Sequence, residues 1–135
     1  MTVPTPSTAP APARDWMAVG AGAIRFTSGV SFLVAPDAAN RLWGDDADPT
    51  PTAQLLLRSM GYRDALIGGL LLSSGWRGDR TSAGWFLASA GADLADLLGG
   101  VSNHAAMTQS QRIRGLGGAA LGIGIGVVGA LRARR

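Results

Sequence analysis

From position 115 to position 131 the chain reads GLGGAALGIGIGVVGAL without one charged residue. No rotation of a helix through this run gives it a polar stripe. A helix that is apolar on every side belongs in a membrane or at the centre of a large protein. A chain of 135 residues has room for one domain and too little mass to surround such a helix. A soluble bundle of amphipathic helices is thereby disfavoured. The expected fold class is all-α, an integral membrane four-helix bundle running up-down-up-down.

Three more apolar runs give that bundle its other helices. The expected spans are residues 16–35, 53–75, 81–100 and 113–131, each near the roughly 20 residues that cross about 30 Å of hydrocarbon at about 1.5 Å per residue. Charged residues make up 16% of the chain and hydrophobic residues 47%, with 20 glycines, against roughly 25% charged in soluble domains. The boundaries carry helix signals: Asp15 as an N-cap, Pro36 closing the first span, and Thr50 with Pro51 opening the second. The WRGDR turn at 76–80 makes the second and third spans a hairpin. Residues 1–14 are rich in Pro, Ala, Thr and Ser and read as a disordered leader. They lack the order of parts of a secretory signal, so the first span is expected to act as its own anchor.

Arginine placement sets the orientation. Arg14, Arg77, Arg80, Arg132, Arg134 and Arg135 fall on the side of the two termini, whereas Arg41, Arg112 and Arg114 fall in the opposite loops. The positive-inside rule then puts both termini in the cytoplasm of a multi-pass protein of the cell inner membrane. Trp16, Trp76 and Trp85 lie near one face, as interfacial rings do, and Trp43 belongs to the opposite loop. All 12 basic residues are arginine and all 9 acidic residues are aspartate. The arginines are scattered between apolar runs without a nucleic-acid-binding motif, so the basic balance does not point to nucleic acid. With no cysteine there is no disulfide framework and no thiol nucleophile.

The charges inside the spans locate a candidate site. An Arg or Asp at the centre of a membrane helix is disfavoured by roughly 2.5–3.5 kcal/mol on insertion scales, so such groups face protein or water and pair with one another. Arg25, Arg58 and Arg63 balance Asp64, Asp93 and Asp96, and a neutral cluster in the outer half of the bilayer is expected. Arg63 or Arg25 is expected to pair with Asp93 and Asp96, which share a face of the third span. Arg63 and Asp64 point about 100° apart and are expected to serve different partners. Tyr62 adds a hydroxyl at that depth, and His104 is placed to cap the outer mouth. Two carboxylates and one loop histidine are thin support for a metal, and neither a metal nor a cofactor is expected. Gly118, Gly122 and Gly126, at four-residue spacing, form a helix-packing face for another helix of the chain or for a second copy, giving a homo-oligomer.

The segments FLVAP at 32–36, GYRDALIG at 61–68 and DLADLL at 93–98 resemble, in order and spacing, a family of small four-helix bacterial membrane proteins catalogued only as a domain of unknown function. The resemblance covers roughly residues 18–131. It matches Pro36 to the end of the first span, Arg63 and Asp64 to a polar pair in the second, and the aspartates of the third to an acidic position there. It implies no activity. The residues themselves leave three readings: a structural charge network or polar ligand site; a small membrane isomerase, cyclase or hydrolase with Asp93 or Asp96 as acid or base and Arg63 steadying negative charge; and an oligomeric transporter with Asp64 or Asp93 carrying a proton or cation.

Overall fold

A computed structural model describes residues 13–42 and 48–135. Among these the secondary structure is all helical: α1 (Trp16–Val34), α2 (Pro36–Leu42), α3 (Pro51–Arg77), α4 (Ser82–Ser102), a 3-10 turn (His104–Ala106), α5 (Gln109–Gln111), a π turn (Arg112–Leu116) and α6 (Gly117–Ala133). Most of the leader, and Trp43, lie outside the described residues.

Local chemistry explains the ends. Asp15 caps α1 by accepting from the backbone N–H groups of Met17 and Ala18, both at 3.1 Å. Thr50 caps α3 from Ala53 N–H at 3.2 Å, with Pro51 at the first helical position. α3 ends at Gly78, whose φ of 64° is left-handed, as a glycine C-cap allows. Asp79 then accepts from Thr81 N–H at 2.8 Å and from the Thr81 hydroxyl, which turns the chain into α4. Pro36 does close α1, but it also opens α2, because proline is favoured at a first helical position. The last helical run starts at Gln109, earlier than position 113. Thr108 and Gln111 form a capping box there, and α5, the π turn and α6 continue from it.

The long helices pack in two antiparallel pairs. In the first, Gly22 of α1 lies against Gly68 and Leu72 of α3, Gly29 against Gly61 and Ala65, and Gly75 against Ala18. A Cβ at Gly22, Gly29 or Gly68 would overlap backbone atoms of the other helix, so these residues are what lets the helices approach so closely. Gly22 and Gly29, like Gly61, Gly68 and Gly75, are seven residues apart, about two helical turns, so each set shares a face. In the second pair Gly126 of α6 receives Ala90 and Phe86 of α4, and Gly129 faces the Phe86 ring. Gly122 and Gly126 thus pack inside the chain. α1 packs most extensively on α3 and α4 on α6, with a slimmer seam between the pairs.

Small residues fill the interior and large ones face out. Ala18, Ala39, Ala83, Ala90 and Ala130 are buried, as are Ser74, Ser82 and Ser89. Among the few large buried side chains, Leu71 and Phe86 join Ala18 and Ala130 in one apolar cluster near the terminal end. Ile24 and Phe26 on α1, Leu55 and Leu66 on α3, Leu87, Leu94 and Leu98 on α4, and Leu121 and Val128 on α6 are exposed. At the end carrying the termini, Trp16 and Trp76 meet edge to face at 6.1 Å, and the Arg14 guanidinium lies 3.9 Å from the Trp76 ring centre.

Candidate functional site

Three helices bring a charged side chain from their middles to one place. Arg25 is the central residue of α1, Asp64 that of α3, and Asp93 is next to the centre of α4. The helix extents therefore put these groups at mid-helix, whereas the sequence analysis expects the cluster in the outer half of the bilayer. Arg25 Nη1 donates to Ser89 Oγ at 2.8 Å and to both oxygens of Asp93 at 2.9 Å. Its Nη2 donates to Asp64 Oδ1 at 2.9 Å. The side chains of Arg25, Asp64 and Asp93 are 13%, 15% and 12% exposed, so this one guanidinium ties three helices together with little water around it. The Arg25 Nε is buried and has no hydrogen-bond partner.

Arg63 extends the row. Its Nε donates to the same Asp64 Oδ1 at 3.1 Å, and its two terminal nitrogens grip Asp96 at 3.0 and 2.7 Å in a two-pronged pair. The order Asp93, Arg25, Asp64, Arg63, Asp96 alternates in sign along its whole length. Asp93 and Asp96, three residues apart, share one face of α4 as the spacing requires. Arg63 and Asp64 do take different partners across the bundle, Asp96 and Arg25, but they also bond each other because the long arginine side chain bends back. Ser89, absent from the sequence candidates, precedes Asp93 by four residues and so lies on the same face; that spacing was the available signal.

Arg58, Tyr62 and His104 do not join the row. Arg58 is exposed, and its Nη1 donates to the Leu33 carbonyl at 2.5 Å. Six residues before Asp64, it is rotated about 240° around the helix and faces away. Tyr62 is 62% exposed. His104 is exposed, with Nδ1 at 3.0 Å from the Val101 carbonyl, and among the described residues no three acidic or histidine side chains converge as a metal site would need. Without Arg58 the charges do not balance: two guanidinium groups face three carboxylates, a formal surplus of one negative charge. Arg58 instead belongs to a set of arginines that close backbone carbonyls at the end away from the termini, with Arg114 on Leu42 at 2.8 Å and Arg112 on His104 at 2.9 Å.

A cleft of about 690 Å³ opens beside the Arg63–Asp96 end of the row. Leu56, Leu57 and Met60 of α3 give it apolar walls, while Arg63, Asp96 and Asp48 supply charge. Asp48 is already paired with Arg41 at 2.8 Å. The volume is in the range of small-molecule sites, roughly 300–1,000 Å³, and a mostly apolar wall with a few convergent polar groups is their usual make-up.

A family model described as "Domain of unknown function (DUF4267)" matches residues 22–132. The chain belongs to this family. The DUF4267 match spans all five charges of the row and every residue lining the cleft. No curated protein and no solved structure matches the chain.

Proposed function

We propose that this DUF4267 protein is an integral membrane protein of four spans, whose charge row holds the spans together and whose Arg63–Asp96 end forms the wall of a ligand site. The spans would be α1, α3, α4 and the run Gln109–Ala133. The observation that carries the ligand reading is that the last ion pair of the row lines an otherwise largely apolar cleft.

Two helices, Trp16–Val34 and Gln109–Ala133, are long and apolar enough to cross a membrane. α3 and α4 carry more polar residues, but their central charges are spent on one another and their outer faces present Leu55, Leu66, Leu87, Leu94 and Leu98. An interior of small residues and an exterior of large ones suits helices solvated by lipid, where close backbone packing takes the place of a hydrophobic core. In this reading Arg25, Asp64 and Asp93 lie near the bilayer centre, deeper than the outer half. The arginines at the terminal end favour cytoplasmic termini. Because α4 covers Gly122 and Gly126, association between copies would use the other face of α6, which presents Leu121, Ile125 and Val128.

Native mass spectrometry of protein extracted in mild detergent tests the site. A retained lipid or small molecule is expected, and Met60→Trp, which fills the cleft without touching a charge, should release it. A purely structural row is the second reading, favoured by Arg25, whose charge is shared between two carboxylates. It wins if no molecule is retained and Met60→Trp changes nothing. Reporters fused after Arg135 that are active only outside the cytoplasm would overturn the orientation.

A further inference from the structure

The charge on the cleft wall selects what the cleft can take. Arg63 gives three of its five N–H groups to two carboxylates, Nε to Asp64 and one from each terminal nitrogen to Asp96. Asp96, by contrast, uses one lone pair on each oxygen and keeps the others, since an ionised carboxylate has about four acceptor positions. It is also the most exposed acid of the row, at 40% against 15% for Asp64 and 12% for Asp93, so it is the one a ligand can reach. The row as a whole carries one more carboxylate than guanidinium. Asp48 does not change that count, because Arg41 neutralises it.

An anionic headgroup could reach only the two remaining Arg63 N–H groups, beside two carboxylates, and would add to an existing negative surplus. A cationic headgroup meets a free acceptor and cancels the surplus. The rest of the ligand must satisfy Leu56, Leu57 and Met60, which ask for apolar surface. We propose that the cleft binds a cationic amphiphile, a permanently charged or protonated amine-like or onium head on an apolar body, with the head against Asp96 and the body along Leu56, Leu57 and Met60. This rests on the ligand-site reading above and assigns its substrate class.

The test uses two probes of nearly the same size and shape and opposite charge, tetraphenylphosphonium and tetraphenylborate, with the full chain in lipid nanodiscs. Empty nanodiscs correct for partitioning into lipid. Saturable binding of the phosphonium is expected, with at most a tenth of that affinity for the borate. Asp96→Asn should weaken phosphonium binding at least tenfold, and Met60→Trp, which leaves the charges in place, should abolish it while the melting temperature stays within a few degrees. If the borate binds as tightly or more tightly, the sign assigned here is wrong although the cleft is still a site. If the phosphonium binds equally well to Met60→Trp, it sits elsewhere and the proposal fails. If neither probe saturates, the cationic class is overturned, and the retained-ligand measurement decides separately whether the cleft binds anything.

Discussion

The Asp93 carboxylate occupies the space that a side chain on Gly122 would need. α6 can pass this close to α4 only because position 122 is bare, and the same bare position lets Asp93 turn toward Arg25. Gly122→Ala pushes on a carboxylate that is fixed by two hydrogen bonds, so it should destabilise by about 1–3 kcal/mol, the usual range for overpacking. Gly124→Ala, which meets nothing within 4 Å, should be neutral or stabilising by up to about 1 kcal/mol through helix propensity. Thermal unfolding of both variants in one detergent checks the contrast; equal melting temperatures would remove the close approach.

The first helix pair should be less forgiving. At Gly29 and Gly68 the atoms in the way are backbone, which cannot rotate aside. Gly29→Ala and Gly68→Ala should each lower stability by at least about 3 kcal/mol, the upper end of overpacking penalties. Gly20→Ala on α1 faces open space and serves as the control. Yield of monodisperse protein and its melting temperature are the readouts.

Arg25 and Arg58 are both arginines inside apolar runs, and they should behave differently. Arg25→Met leaves the poorly exposed Asp93 without its counter-charge and Asp64 with Arg63 alone, a loss of about 3–5 kcal/mol. Arg25→Lys should recover little of it, since one ammonium cannot span Asp64, Ser89 and Asp93 as a planar guanidinium does. Arg58→Met gives up one exposed hydrogen bond and should cost about 1 kcal/mol or less. Denaturant or thermal titration of the three variants side by side tests the order.

The turn before α4 predicts a pH effect. The Thr81 hydroxyl, with smaller help from Thr81 N–H and Arg77, holds the Asp79 carboxyl below the ordinary carboxylate range. A carboxyl depressed in the folded state contributes stability above its unfolded pKa and loses it as pH falls through the folded value. Thr81→Val should move the Asp79 titration back up toward the ordinary range, as read by carboxyl carbon NMR shifts. An unchanged titration would assign the depression to another group.

Much of the site was legible because arginine and aspartate inside apolar runs have few places to go. Arg25, Arg63, Asp64, Asp93 and Asp96 could be picked out and their pairing narrowed to two options. Depth along the membrane alone, however, admitted Arg58 and Tyr62, and only helical phase excludes them: about 240° and 200° from Asp64, they face away from α4. His104 was expected to cap the outer mouth, but α4 stops at Ser102 and the chain turns away at Asn103. The α1–α3 contact could have been found from the seven-residue spacing of Gly61, Gly68 and Gly75, but the denser glycine run of α6 drew the packing argument. The capping box of Thr108 and Gln111 was readable too, and would have moved the start of the last helix to Gln109. The cleft was not readable, since it depends on how the segment at 48–50 folds back beside α3.

Between residues before Gly78 and residues after Thr81, every side-chain hydrogen bond among the described residues has an arginine as donor: Arg25, Arg63 or Arg114. Within each pair, glycines interlock the backbones. The two halves are therefore joined along that seam in the manner of a bolted joint, by a few directional fasteners and by the apolar cluster of Ala18, Leu71, Phe86 and Ala130 near the terminal end. Loosening a fastener, by a substitution at Arg25 or Arg63, should let the halves shift against each other without unravelling either one.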